Sequence, residues 1–199
     1  MIDAALLTLR SVTGGLLAGH GAQKLFGAFD GPGLEGTRGM MRHLRLEPSD
    51  LWGTAAAASE LAGGALTTLG LGGALGPIVG MAPMVMATTT AHWGKPIWVT
   101  AGGAELPVTN LGVLAALAMA GPGSISVDRA LGIRVPRWMT ALALCGTAGG
   151  CIAALAMRRP AEVEQPPPVE ETQAEEEREL TATPERLQRR SPVAEQAQA

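Results

Sequence analysis

The residues of this sequence that could do chemistry are six ionisable side chains in or beside apolar segments. They are Arg10, His20, Lys24, Glu60, His92 and Glu105. Ionisable groups are costly in apolar surroundings unless they pair with one another or serve a ligand. The six are therefore the candidates for a polar cluster inside the protein.

The stretch from His20 to Gly27 ends the first apolar segment and holds two of these basic groups, His20 and Lys24. On a helix over residues 4–26, at about 100° per residue, His20 and Lys24 lie within about 80° of Arg10. The spacing predicts a basic stripe on a helix otherwise made of small and aliphatic residues. That face should contact protein or a watery cavity rather than lipid.

Glu60 lies about midway along the second apolar segment. An unpaired carboxylate there is costly, so we expect Glu60 to be protonated or paired. Arg10 is the natural partner, and His20 is a second neighbour that antiparallel helices would bring near. A buried Arg–Glu pair is usually structural, whereas a protonated Glu60 would serve a ligand.

His92 ends the third apolar segment, and Glu105 begins the fourth on the same side. We expect Lys24, His92, Trp93 and Glu105 to converge at one membrane face, with Glu60 deeper. Simpler interpretations are that Lys24 snorkels to the headgroups and that Trp93 belongs to an interfacial aromatic belt. A cluster of this kind would suit a small anion or a quinone head group.

Other site chemistries find no support in the motifs. The sequence has no His-x-x-His or Glu-x-x-His spacing, so no metal site is predicted. Nucleophile motifs, phosphate loops and dinucleotide fingerprints are also missing. No basic block is interleaved with aromatic residues, so nucleic acid is not an expected partner. Cys145 and Cys151 lie six residues apart on one predicted helix, where they cannot bond to each other and act as small apolar fillers.

Apolar residues dominate the first three quarters of the chain and fall into five segments. The segments cover residues 4–26, 52–71, 74–91, 107–121 and 138–157. A membrane-spanning helix needs about 20 predominantly apolar residues. The pattern predicts an all-α integral membrane bundle, in which the short link after residue 71 forces the second and third helices into an antiparallel hairpin. The first segment has Asp3 in place of a basic n-region, so we interpret it as a retained helix and not a signal peptide.

Charge separates this apolar body from a C-terminal tail. Residues 1–157 hold nine Lys or Arg and eight Asp or Glu, whereas residues 158–199 hold six Arg and ten Glu. The tail, residues 160–199, is rich in Pro and Glu and cannot bury a core, so we expect it to be disordered. It is a solvated segment or a docking site for partners.

Basic residues also set the expected orientation. Five helices place the termini on opposite sides of the membrane, and Lys and Arg favour the cytoplasmic side. One side holds more of them, namely Arg38, Arg42, Arg45, Lys95, Arg158 and Arg159. This bias predicts a multi-pass cell-membrane protein with a cytoplasmic C-terminal tail. Residues 35–46, between the first two segments, could form a short amphipathic helix on the lipid surface or on the bundle.

Several motifs together resemble the DoxX family of small bacterial membrane proteins. They include Gly19-His20-Gly21-Ala22-Gln23-Lys24-Leu25-Phe26-Gly27, Ser59-Glu60-Leu61-Ala62-Gly63-Gly64, Ala91-His92-Trp93 and Glu105-Leu106-Pro107. The resemblance covers about residues 5–130 and implies a four-helix membrane bundle. Residues 1–130 would then be the DoxX-like bundle, residues 131–159 an additional transmembrane helix, and residues 160–199 the tail.

The resemblance also implies an association with redox systems, including quinone-linked thiosulfate oxidation and oxidative-stress partners. It supplies no catalytic residues to carry over. Two functions follow. The protein is a non-catalytic subunit or scaffold on which soluble redox enzymes dock, or it is an oxidoreductase subunit that binds a quinone or a sulfur oxyanion. The first is favoured, since no motif encodes a redox centre. No cofactor is evident from the motifs, and a quinone is the candidate. A homo-oligomer is compatible with the sequence.

Overall fold

The structure is a computed structural model, and it describes residues 1–160. These residues contain seven α-helices and no β-strand. The helices are α1 (Ile2–Phe26), α2 (Gly33–His43), α3 (Ser49–Leu69), α4 (Leu75–Ala91), α5 (Glu105–Ala120), α6 (Val127–Leu131) and α7 (Arg137–Ala156). The predicted disordered tail lies outside the described residues from position 161 onward.

Two of the long helices contain a π-helical turn. The turn in α1 covers Arg10–Gly14, and the turn in α4 covers Ala87–Ala91 and ends directly before His92. Such turns are rare and often occur at functional sites. Because a π-turn has more residues per turn than an α-helix, it also changes which side chains share a face beyond it.

The five predicted apolar segments correspond to α1, α3, α4, α5 and α7, and the predicted amphipathic helix corresponds to α2. Each boundary agrees to within a few residues. The sequence did not predict α6, which has only five residues and is capped by the Ser126 hydroxyl accepting from the Arg129 N–H at 3.3 Å.

Close packing of α1 on α3 depends on small residues. A Cβ added to Gly21 would collide with the backbone of Leu61, and one added to Gly64 would lie 2.6 Å from the Gly14 carbonyl oxygen. Without side chains at these positions the two backbones approach closely, as is common for helices in membranes. This approach fixes the antiparallel register that brings the end of α1 to the middle of α3.

Helices α3 and α4 form the predicted antiparallel hairpin. A Cβ on Gly63 would lie 2.7 Å from the Gly80 nitrogen, so this pair is also backbone against backbone. Pro83 is accommodated inside α4 without ending it. In the following turn the hydroxyl of Thr88 donates to the Met84 carbonyl at 2.8 Å, and Thr90 donates to Met86 at 2.6 Å. Side-chain hydroxyls of this kind satisfy backbone groups where the regular ladder is disturbed.

One end of the bundle is closed by two carboxylates, the buried Asp128 and the partly exposed Asp3. Both oxygens of Asp128 accept backbone N–H groups of the α3–α4 turn, from Gly72 at 2.9 Å and from Gly73 at 2.6 Å. Asp3 accepts from the Ser124 N–H at 2.7 Å and so fastens the start of α1 to the loop after α5.

The opposite end of the bundle holds the C-terminal end of α7 and the residues that follow it. The Arg158 Nε donates to the Leu44 carbonyl at 3.0 Å, and the Arg159 N–H donates to the Arg45 carbonyl at 2.9 Å. Leu46 and Arg158 also form an isolated antiparallel bridge. These bonds fix α7 against the α2–α3 link and place Met1 and Pro160 at opposite ends of the bundle.

Two of the helices in residues 1–160 are long and apolar enough to cross a bilayer by length and composition, Ile2–Phe26 and Arg137–Ala156. Leu75–Ala91 and Glu105–Ala120 are shorter apolar helices. Both longer helices expose large apolar side chains, among them Leu16 on α1 and Leu142 on α7. Exposed apolar faces of this extent suit contact with lipid. The count of five spans stays a prediction.

Candidate ligand-binding cavity

Lys24 and Glu60 form an ion pair, with Lys24 Nζ 2.5 Å from Glu60 Oε1. Glu60 is 2% exposed, while the Lys24 side chain is 22% exposed. The second carboxylate oxygen, Oε2, is buried and has no hydrogen-bond partner among the described residues. Since a buried acceptor without a partner is destabilising, this oxygen would gain from a hydrogen-bond donor.

The ion pair belongs to the wall of a cavity of about 560 Å³. Four helices and the end of α1 surround it: α2 contributes Met40 and Met41, α3 contributes Trp52, and α4 contributes Pro83. The opposite wall is α7, through Ala143, Gly146, Thr147, Gly150, Cys151 and Ala154. Most of the lining is apolar. The space is within the range of small-molecule sites, which are mainly apolar with a few polar groups that orient the ligand.

His92 is the third of the six ionisable candidates that line the cavity, after Lys24 and Glu60. Its Nδ1 lies 2.7 Å from the Gly102 carbonyl oxygen. Because a carbonyl only accepts, Nδ1 carries the hydrogen, and Nε2 of a neutral imidazole is then an acceptor. Lys24, Glu60 and His92 thus give one cavity a donor and acceptors in an apolar lining.

The predicted pairing of Arg10 with Glu60 is wrong. The Arg10 guanidinium donates to the Ile125 carbonyl and to the Thr68 carbonyl at 3.4 Å, at the opposite end of the bundle. Arg10 is nevertheless 2% exposed, so its buried charge is stabilised by carbonyl oxygens in place of a carboxylate. The predicted basic stripe assumed a regular α-helix, whereas the π-turn begins at Arg10 and breaks that regularity.

Three other candidates lie outside the cavity. His20 is exposed, and its Nδ1 is 3.1 Å from Gln23 Oε1. Trp93 is 79% exposed, which suits the predicted interfacial position. Glu105 Oε2 accepts from the Val99 N–H at 2.9 Å and so orders the loop before α5. The structure therefore brings together three of the six ionisable candidates.

Some residues of the cavity were not among the sequence candidates. Met40 and Met41 of α2, Leu44 directly after it and the small residues of α7 are apolar or very small. Residue type alone therefore does not mark them as part of a cavity wall. The amphipathic pattern of α2 was the available signal for its inward face. No comparable signal marked the cavity face of α7.

The described residues contain no cluster of side chains that indicates a metal site. Within residues 1–160, no group of three or more His, Cys, Asp or Glu side chains is placed to hold a metal ion. Cys145 is exposed and Cys151 is buried, and both are free thiols.

Comparison with protein families gives a match in the N-terminal half of the chain. The DoxX family model matches residues 5–93. This part of the chain is similar to the DoxX family, as the sequence motifs indicated. DoxX is a membrane family, which agrees with the long apolar helices. No curated protein and no solved structure gives a significant match.

The DoxX match contains only part of the cavity. Lys24, Glu60 and His92 all lie within the matched residues 5–93, whereas α7 lies beyond them. The sequence motifs extend the DoxX resemblance to about residue 130, which also excludes α7. The three ionisable candidates in the cavity wall therefore lie within the part of the chain that matches DoxX, and the α7 wall lies outside it.

Proposed function

We propose that this DoxX-type membrane protein is a non-catalytic subunit of a membrane redox system and that it binds a quinone-class molecule in the cavity. The observation that carries this proposal is the Lys24–Glu60 pair in the wall of an apolar cavity of about 560 Å³. Soluble redox enzymes docking at the membrane are the proposed partners, which the resemblance to DoxX proteins supports. The C-terminal tail, which is the proposed docking segment, lies from position 161 onward outside residues 1–160 that the structure describes.

The charges of the lining favour a neutral ligand over a sulfur oxyanion. Lys24 is the only lysine or arginine in the cavity wall of the described chain, and Glu60 compensates its charge. An oxyanion entering the cavity would lose its hydration and find no uncompensated cation. A quinone ring brings no net charge, so its burial avoids that cost.

The hydrogen-bonding groups also suit a quinone. The Lys24 ammonium has three N–H donors, and one is used by Glu60 Oε1. A second can donate to a quinone carbonyl. In the reduced molecule, a hydroxyl can donate to Glu60, whose carboxylate has an oxygen without a partner. The same pair can thus hold both the carbonyl and the hydroxyl form of one ligand.

Binding can be measured on the purified full-length protein in nanodiscs. Trp52 lines the cavity, so a quinone bound there should quench its fluorescence. The probe is decylubiquinone, with a Trp52→Phe variant to assign the signal. Replacing both partners, Lys24→Met with Glu60→Gln, removes the charges together and avoids leaving one buried alone. We expect its affinity to fall about tenfold, equivalent to about 1.4 kcal/mol.

The matched control is Lys95→Met, because Lys95 is exposed and lies outside the cavity wall. It should bind decylubiquinone as the unchanged protein does. Equal affinity in the double variant would contradict the proposal. Saturable binding of thiosulfate that is stronger than that of the quinone would replace it with the oxyanion function.

A further inference from the structure

We infer that α7 forms the binding surface for an apolar tail on the ligand, so that the DoxX domain recognises the head and the added helix selects the tail. This inference rests on the proposed function, because it assigns the second half of the same cavity. The ligand class it names is a quinone with an isoprenoid or alkyl chain, as opposed to a free ring.

The first observation is the composition of the α7 wall. Five of the six α7 residues that line the cavity are Ala, Gly or Thr, and the sixth is Cys151. A Cβ added to Gly146 or Gly150 would meet no atom within 4 Å. The glycines of the α1–α3 contact differ, since there an added Cβ would collide with the facing helix. Gly146 and Gly150 therefore leave room in the cavity and are not needed for contact between helices.

The second observation is the way α7 is held. Arg158, just after the end of α7, donates to the Leu44 carbonyl of the α2–α3 link, while Cys151 Sγ lies 3.8 Å from the Ala82 carbonyl oxygen on α4. The helix thus packs on α4 and on the α2–α3 link along one side. The space between α7 and the Lys24–Glu60 pair remains open although both of its walls are fixed.

The third observation points to a ligand independently of the small residues. Glu60 is 2% exposed, belongs to the cavity wall, and carries a carboxylate oxygen without a partner. The carboxylate torsion is soft and nearly two-fold, so its rotation exchanges the two oxygens. A donor in the cavity can therefore satisfy the unpartnered oxygen. A ligand with its head at this pair has the apolar α7 wall as the available surface for its chain.

The experiment enlarges residues on the cavity face of α7 in the full-length protein. Gly146→Leu and Gly150→Leu add side chains into the space, and Gly149→Leu is the matched control. Gly149 lies on the same helix, is equally open, and does not line the cavity. Two probes are titrated: decylubiquinone, and the same ring without its tail. Gly146→Ala and Gly150→Ala serve as smaller changes if a leucine variant does not fold.

We expect both leucine variants to bind decylubiquinone about tenfold more weakly, which corresponds to about 1.4 kcal/mol. Their affinity for the tailless ring should stay within about twofold, a difference below about 0.5 kcal/mol. Gly149→Leu should bind both probes normally. Equal losses for the two probes would overturn the inference, because α7 would then contact the head. Unchanged binding of decylubiquinone in both leucine and both alanine variants would also overturn it.

The outcomes separate this inference from the function on which it rests. If Lys24→Met with Glu60→Gln weakens both probes while the α7 variants change nothing, the proposed function stands and the tail assignment fails. If the α7 variants weaken the tailed probe while the Lys24 and Glu60 changes have no effect, the tail assignment stands and the head assignment fails. If neither probe binds the unchanged protein, both fail.

Discussion

Lys24 near the end of α1 and Glu60 in the middle of α3 are 36 residues apart in sequence, and their charged atoms are 2.5 Å apart. The pair joins two helices whose backbones are already in close contact through glycine. It also forms part of the cavity wall. One interaction therefore links the two helices and supplies charged groups to the wall of the cavity.

The first prediction is energetic coupling between these two residues. Lys24→Met and Glu60→Gln should each lower the free energy of unfolding. The first leaves the buried Glu60 carboxylate without a counter-charge, and the second leaves the partly buried Lys24 ammonium without its carboxylate. The double variant should recover much of the loss. We expect an interaction free energy of about 1–3 kcal/mol, the range for residues in one network, from denaturation of the detergent-solubilised protein.

These single and double variants form a double-mutant cycle. Its control is a second cycle that combines Arg10→Gln with Glu60→Gln. Arg10 binds carbonyl oxygens at the other end of the bundle, so these two changes should be additive to within about 0.5 kcal/mol. Strong coupling of Glu60 to Arg10, with none to Lys24, would refute the observed pairing.

The sequence predicted the helices well because their signals are local. Apolar runs, the turn at Gly72-Gly73 and the amphipathic pattern of α2 each depend on neighbouring residues. The partner of Glu60 was not predictable in the same way. It depends on the register between α1 and α3, which Gly21 and Gly64 set, and on a π-turn that no pattern in the sequence marks.

The cavity was less predictable still. Lys24, Glu60 and His92 stand out by residue type, so the sequence singled out three ionisable side chains that line the cavity. Gly146 and Gly150 resemble any small residues in an apolar helix, and their role depends on the empty space in front of them. Since a cavity is a relation among helices distant in sequence, no single segment contains a signal for it.

The second prediction concerns Arg10, whose buried guanidinium donates to carbonyls on α3 and on the loop before α6. Arg10→Gln shortens the side chain and removes its charge, so both carbonyls lose their donor. Hydrogen bonds to charged groups contribute about 1.5–3 kcal/mol, and we expect a loss of at least about 2 kcal/mol in unfolding free energy. Arg134→Gln, at an exposed position, should have no effect. An Arg10 variant as stable as the Arg134 variant would contradict this role.

The third prediction concerns the contact between α1 and α3. Gly64→Ala places a methyl group against the α1 backbone and should cost about 1–3 kcal/mol, as overpacking does. Gly15→Ala, on α1, places the same group where no atom lies within 4 Å. It should be neutral or stabilising by up to about 1 kcal/mol through helix propensity. Thermal denaturation in detergent would compare the two, and equal effects would argue against the close approach.

The fourth prediction concerns topology, and it begins from the two ends of the bundle. Most of the basic residues outside the long apolar helices lie at one end of the bundle. This end contains α2, the α2–α3 link and the C-terminal end of α7. Its basic residues are Arg38, Arg42, Arg45, Lys95, Arg158 and Arg159. The end that contains Ser124 and the start of α7 carries Arg129, Arg134 and Arg137. Because cytoplasmic segments are enriched in Lys and Arg, the first end should face the cytoplasm.

Reporter fusions test this orientation. A fluorescent protein that folds only in the cytoplasm should be active when fused after Ala199, and inactive after Gly123. Alkaline phosphatase, which is active only outside the cytoplasm, should give the reverse pattern at the two positions. The pair of reporters ensures that one of them gives a positive signal at each site. If phosphatase is active after Ala199, the orientation is reversed or the number of spans differs. If both positions report the same side, α7 does not cross the membrane.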